Sequence, residues 1–145
     1  MLAALRDGGL RVVTLTNGNA DVEATPLAGL VDASVSPALV GSAKPDRAMF
    51  EAAAKAGRAM AGSTLHVGDD PEADVRGARR AGMRAILVVP PEHDEGGTCS
   101  HAERVRQAAD AQLAATEEER ADAVVGHAAD VVPLLRTLGF GSAGM

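Results

Sequence analysis

The chain has 145 residues, 46% of them hydrophobic, and a net charge of -6. That length and apolar content suit one globular domain and exclude a disordered chain. The acidic balance argues against a nucleic-acid surface, no apolar run is long enough for a membrane span, and the single Cys99 has no internal disulfide partner, which fits a reducing compartment.

There is no Trp or Tyr and only Phe50 and Phe140, so the core must rest on Val, Leu, Ile, Met and Ala. Residues 1–7 read as the end of a helix stopped by Gly8-Gly9. No signal-peptide pattern precedes the first strand, and a soluble protein of the cytoplasm or an organelle is expected; an upstream targeting segment would not be visible here. Leu10 to Thr16 reads as a continuous apolar strand, as a parallel sheet buried on both faces requires. Thr25-Pro26 reads as the opening of a short helix carrying Leu27 and Leu30, and Asp32 to Ser36 as a short strand. Pro45 opens a helix with Met49, Phe50, Ala53 and Ala54 on one face.

Thr64 to Gly68 is the next strand, Pro71 to Ala81 a helix closed by Gly82, and Arg84 to Val89 a strand stopped by Pro90-Pro91. Glu92 to Gly97 is polar loop. Ser100-His101-Ala102-Glu103 forms a capping box that starts a helix running to about Glu119, and residues 92–121 together read as a surface insertion. Ala123 to Gly126 is a short strand, Asp130 to Leu138 a helix, and residues 140–145 are expected to be a disordered tail. The alternation of strand and helix predicts an α/β fold with a parallel sheet covered on both faces.

Three short segments carry chemistry. Leu65-His66-Val67-Gly68-Asp69-Asp70-Pro71-Glu72-Ala73-Asp74 is an apolar strand that delivers acids to its C-terminal tip, where open α/β sheets bind ligands. Carboxylates there repel unless a cation offsets them, and Mg2+ takes a few carboxylate oxygens beside a phosphate. Val12-Val13-Thr14-Leu15-Thr16-Asn17-Gly18 ends a second strand with a hydroxyl and free backbone N–H groups. Ala43-Lys44-Pro45-Asp46 holds a lysine just before a helix, where it could neutralise a phosphoryl group and a carboxylate together. Each piece has a plainer reading. Thr16 could cap the next helix and Asn17-Gly18 make a turn, Lys44 could be a surface lysine, and Asp70 and Glu72 suit a helix N-terminus.

In the order hydroxyl, lysine, acid cluster, the three segments resemble the second, third and fourth motifs of the haloacid dehalogenase (HAD) superfamily, most of whose members are Mg2+-dependent phosphatases. Gly77-Ala78-Arg79-Arg80-Ala81-Gly82-Met83 resembles the helix that follows the fourth motif. The resemblance covers most of residues 2–90 and more faintly 122–138. Thr14 to Ala20 and His66 to Asp70 look especially like the branch of flavin mononucleotide phosphatases and riboflavin-pathway aminouracil phosphatases. The implied fold is a HAD-like, Rossmann-like doubly wound sheet. The implied roles are phosphoryl binding by Thr16, Asn17 and Lys44, catalytic charge neutralisation by Lys44, and Mg2+ ligation by Asp69 with Asp70 or Asp74, Asp74 alternatively orienting Lys44. Receiver domains place acids before Thr and Lys, the reverse of this order. Dehalogenases proper need no metal and carry Ser and Asn near the fourth motif. No Gly-x-Gly-x-x-Gly follows any strand, which leaves dinucleotide binding unsupported.

The family's first motif, Asp-x-Asp on a central strand, is not in this sequence, and neither is most of the cap. Its first aspartate would be the nucleophile and its second the general acid and base. Asp7 precedes the strand that carries Thr16, roughly 20 Å or more from that tip at about 3.3 Å per residue, and cannot substitute. The resemblance thus implies the C-terminal part of a phosphatase acting on a small phosphorylated metabolite, inactive alone. A non-catalytic domain that binds phosphate or a partner is the alternative. The sheet is expected to lack its central strand, so that the strands ending near Thr16 and Gly68 either pair directly or leave a gap, an unpaired edge being prone to self-association.

Overall fold

The computed structural model describes residues 1–18, 21–91 and 100–140, the side chain of Arg136 apart. Five short strands run in parallel but form two sheets. β1 (Val13–Leu15) pairs with β2 (Ala33–Val35), Val13 opposite Ala33 and Leu15 opposite Val35. β3 (Leu65–Gly68), β4 (Arg84–Val88) and β5 (Ala123–Val125) form a separate sheet in that order. No ladder joins β1 to β3. Short strands interleaved with helices give the α/β architecture that the alternation predicts.

The N-terminal rungs of both sheets are closed by the same device. Asp32 N–H donates to Val12 O at 2.7 Å, and the Asp32 carboxylate accepts Val12 N–H at 2.7 Å. Asp122 N–H donates to Ala85 O at 2.7 Å, and its carboxylate accepts Ala85 N–H at 2.8 Å. Each aspartate adds a rung where its strand is too short to do so. Arg84 and Arg79 hold the Asp122 carboxylate at 3.0 and 3.3 Å, and Arg6 lies 3.5 Å from Asp32.

Helices cover both faces. On one, α3 (Arg47–Ala56) and α4 (Gly77–Arg80) pack Met49, Phe50, Ala54 and Ala78 against Val35, Val75 and Leu87. On the other, α6 (Val131–Thr137) and α1 (Leu2–Asp7) bring Val131, Leu135 and Leu5 to Ile86 and Val125. A short α2 (Pro37–Val40) ends at Gly41, whose φ of 83° is the left-handed conformation of a helix stop. α3 starts at Arg47, not at Pro45, because the Asp46 side chain accepts Ala48 N–H at 2.9 Å as the N-cap.

Several expectations are corrected. The strand read over Leu10–Thr16 shrinks to β1, since a ladder exists only opposite short β2 and the other edge is unpaired. No helix follows Thr25-Pro26: a single 3-10 turn, Val22–Ala24, is capped by Asp21 and followed by turns. Leu27 is 37% exposed, so the segment has no apolar face to bury. The helix read over Pro71–Ala81 opens as a wider π turn, Pro71–Arg76, before α4. The helix expected from Ser100 to about Glu119 is α5 (His101–Ala114), with the predicted capping box at Ser100 and Glu103, and it ends five residues early. It links β4 to β5 and contacts the fold: Ala108 packs on the core, Gln112 is buried, and its Oε1 accepts Ala121 N–H at 2.6 Å. The loop expected over 92–97 lies outside the described residues, as do 141–145 of the expected tail. Phe140, placed in that tail by sequence, packs in the second core cluster. No helix among the described residues is long and apolar enough to cross a membrane.

Phe50 is fully buried and ties three elements together. Its ring meets His66 of β3 edge-on, centroids 5.2 Å apart. A Cβ on Gly77 would lie 2.6 Å from the ring, so only glycine lets α4 approach this closely. Phe50→Ala is expected to cost about 3–5 kcal/mol through the cavity it leaves. Gly77→Ala is expected to cost about 1–3 kcal/mol by overpacking. Urea unfolding of the variants checks both, and losses well under 1 kcal/mol would show that this contact does not hold the layers together.

Candidate functional site

The C-terminal tips of β1 and β3 converge through Lys44. After β1, Thr16 Oγ1 accepts Gly18 N–H at 2.9 Å, a local turn that leaves the hydroxyl proton free to donate. Asn17 grips the backbone of Lys44 at both ends: its Nδ2 donates to Lys44 O at 3.1 Å, and its Oδ1 accepts Lys44 N–H at 2.7 Å. The Asn17 carboxamide therefore positions the lysine.

Lys44 Nζ donates to Asp74 Oδ1 at 2.6 Å. The two side chains are 13% and 5% exposed. His66 Nε2 lies 2.8 Å from the same oxygen. A carboxylate only accepts, so Nε2 carries the hydrogen. Asp70 N–H donates to Asp74 Oδ2 at 3.1 Å. Burial by itself pushes the Asp74 carboxyl up, but hydrogen bonds from His66 and Lys44, the neighbouring imidazole and the Asp70 N–H outweigh it. The group is held well below the ordinary carboxylate range. Gly68 makes room for this arrangement, because a Cβ there would overlap the Asp74 carboxylate.

The three acids expected to hold metal thus separate. Both Asp74 oxygens are engaged by His66, Lys44 and Asp70. Asp70 is the N-cap of the Pro71–Arg76 turn, its Oδ1 accepting the N–H groups of Glu72 and Ala73 at 2.8 Å each. Asp69 is exposed, and its carboxylate makes no hydrogen bond or ion pair among the described residues. Among those residues no group of three or more His, Cys, Asp or Glu side chains is placed to hold a metal ion. Mg2+ is commonly held by one or two carboxylates with phosphate oxygens and water. Asp69 and the second oxygen of Asp70 fit that smaller share of a site.

Sequence reasoning placed Thr16, Asn17, Lys44 and the acids at strand tips. It missed His66 as a partner of Asp74 and Asn17 as a clamp on Lys44. The signal for His66 was an imidazole within an apolar strand, which needs a polar partner when half-buried. Nothing local marks Asn17, whose partner is 27 residues away.

The lowered carboxyl of Asp74 sets a pH dependence. Its folded pKa lies below the unfolded value of 3.8, so its contribution is complete above that value and is lost as pH falls toward the folded one. Denaturation between pH 2 and pH 7 should show stability declining below about pH 4. Asp74→Asn should cost about 3 kcal/mol at pH 7 by stranding Lys44 and should flatten the acid slope. Equal slopes in the two proteins would sink this account.

Comparison with known proteins agrees with the geometry. The sequence matches the haloacid dehalogenase-like hydrolase family over residues 1–82 and the HAD-hydrolase-like family over residues 42–131. A phosphoserine phosphatase of Thermus thermophilus is 39% identical over 92 residues, 60% of this chain and 37% of that protein. The 5-amino-6-(5-phospho-D-ribitylamino)uracil phosphatase YigB of Escherichia coli is 37% identical over 83 residues, 57% of this chain and 35% of that protein. A HAD phosphatase of Thermococcus onnurineus superposes with a TM-score of 0.67 over 97% of this chain and 55% of its own, at 22% identity. The matches thus span between about a third and about a half of those proteins' length. With a lysine, a hydroxyl and acids gathered at the tips of parallel strands, and family matches that together reach from residue 1 to residue 131, the chain belongs to the haloacid dehalogenase-like hydrolase family.

Proposed function

We propose that this chain supplies the phosphate-binding and part of the Mg2+-binding machinery of an enzyme that hydrolyses a small phosphate monoester through an aspartyl-phosphate. The observation that carries this reading is the Lys44 ammonium pinned by a buried carboxylate, 2.6 Å from Asp74 Oδ1, at the edge where Thr16 and Asp69 also lie. A fixed cation at that place stabilises charge on a transferring phosphoryl group without reorganising. The Thr16 hydroxyl donates to a phosphoryl oxygen. Asn17 holds the lysine backbone, and Asp74, with His66, holds its side chain. Asp69 and the outer oxygen of Asp70 would hold Mg2+, whose chemistry when bound is charge neutralisation at phosphoryl oxygens.

In this reading, attack on phosphorus belongs to a carboxylate outside these 145 residues. Asp7 closes α1 beside Leu10 and Asp32, at the opposite edge of the sheet. Two relatives named as phosphatases act, by those names, on phosphoserine and on a phosphoribitylamino-uracil. They support a small phosphorylated metabolite as the substrate class.

The chain alone should hydrolyse no phosphate monoester above background, with or without Mg2+. Joining an upstream segment that carries an apolar strand ending in Asp-x-Asp should confer Mg2+-dependent turnover. In that enzyme Asp69→Asn should abolish activity, and Lys44→Met should lower kcat by about 10²–10³-fold. Robust turnover by the short chain would show that the nucleophile lies within it. Phosphate binding without turnover in the joined protein would favour a non-catalytic binding domain.

A further inference from the structure

Two imidazoles meet at the C-terminal tips of β4 and β5, away from Lys44. His101 opens α5, and His127 follows β5 by two residues. Their ring centroids lie 5.2 Å apart, with the planes at 70°. His101 is fixed by backbone. Val89 N–H donates to Val125 O at 2.9 Å, one rung beyond β4. His101 Nε2 lies 2.7 Å from the carbonyl oxygen of the same Val89. A carbonyl only accepts, so Nε2 carries the hydrogen, and in the neutral ring Nδ1 keeps a free lone pair. Gly126 makes room for this ring, since a Cβ there would lie 3.2 Å from His101 Cε1 and 3.3 Å from Val105 Cγ2.

His127 is exposed, and its nitrogens have no hydrogen-bond partner among the described residues. The pair thus joins one ring with a fixed tautomer to one with uncommitted nitrogens. A metal-ligating histidine is prepared in this way: one ring nitrogen donates to a backbone carbonyl, which orients the ring and leaves the other nitrogen to bind. The spacing fits too. Metal–nitrogen bonds of about 2 Å meeting at a tetrahedral centre hold two imidazole centroids about 5 Å apart.

We propose that His101 Nδ1 and one ring nitrogen of His127 bind a divalent transition-metal ion such as Zn2+, with water completing its shell. Imidazole nitrogens suit Zn2+, Ni2+ and Cu2+, whereas Mg2+ takes oxygen ligands. This pair therefore differs in kind from the carboxylates at Asp69 and Asp70. The strand order β3-β4-β5 sets it two strands from Asp69, about 10 Å along the sheet edge. The amino end of α5 disfavours a cation, and the Glu103 carboxylate in its first turn offsets that effect. A bound ion would tie the start of α5 to the tip of β5. The inference involves no residue of the phosphoryl site and stands apart from the catalytic reading.

The test titrates ZnCl2 into the full chain, first stripped of metal with a chelator, and follows the imidazole nitrogens by 15N NMR. The expected result is a saturable shift of His101 Nδ1 and of one His127 ring nitrogen. His101 Nε2 should keep its hydrogen, and the His66 resonances should stay in place. His127→Gln alters an exposed side chain and should melt normally without metal. It should weaken Zn2+ binding at this pair by about tenfold or more. Zn2+ should raise the Tm of the parent chain and leave that of His127→Gln unchanged. No saturable shift of either ring would reduce the contact to edge-to-face packing and overturn the proposal. Zn2+ held elsewhere, with both rings unshifted or with full affinity in His127→Gln, would overturn it as well. Lack of turnover in a joined enzyme leaves the NMR result intact.

Discussion

The Asp74 carboxylate is the constraint on which the rest of the site depends. It is nearly buried, and an isolated buried charge is costly. Three donors from different elements offset that cost: the Lys44 ammonium, the His66 imidazole and the Asp70 N–H. Each donor is fixed in turn. Lys44 is held through its backbone by Asn17, His66 is packed edge-on by Phe50, and Asp70 caps the turn that carries Asp74. The chain of bonds from β1 through Lys44 and Asp74 to β3 crosses the split between the sheets. At this edge, polar contacts do the joining that a backbone ladder does elsewhere.

Beneath the split, packing supplies the second connection. α3 contributes small residues to the wall of a cavity of about 230 Å³ that Val13, Leu15, Leu65 and His66 also line, and its Phe50 reaches β3 and the glycine at the start of α4. Small side chains serve two ends here. Gly68 and Gly77 allow Asp74 and Phe50 to approach the backbone closely, while Ala53 and Gly57 line the cavity. The core is therefore well filled on the β4 side and thin between β1 and β3. The largest fully buried side chains are Phe50 and Met49 of α3, followed by Ile86, Val75 and Val131 around the three-stranded sheet.

Chemically, the site is stronger in positioning than in reactivity. A pinned ammonium, a hydroxyl donor and an exposed carboxylate can receive a phosphoryl group and share a cation with it. Phosphoryl transfer relies heavily on such positioning and charge stabilisation, but it still needs an attacking atom. The role proposed for this chain is the receiving half of that reaction.

The sequence by itself determined the alternation of strands and helices, most element boundaries to within a residue or two, and the placing of Thr16, Lys44 and the Asp69–Asp74 acids at strand tips. Those features are local: apolar runs stop at glycine, prolines open turns, and Ser100 with Glu103 caps α5. The missing Asp-x-Asp was equally plain, and with it the expectation of an incomplete sheet. Only the tertiary structure decided which acid does what. Asp70 became a cap, Asp74 became the anchor of Lys44 and His66, and Asp69 stayed open, because burial and partners 30 residues away choose among three chemically identical groups. Tertiary contacts also seated α5 on the core through Ala108 and Gln112 and reduced the Thr25–Leu30 segment to turns. In each case, side chains distant in sequence provided or withheld the apolar surface on which a helix must pack.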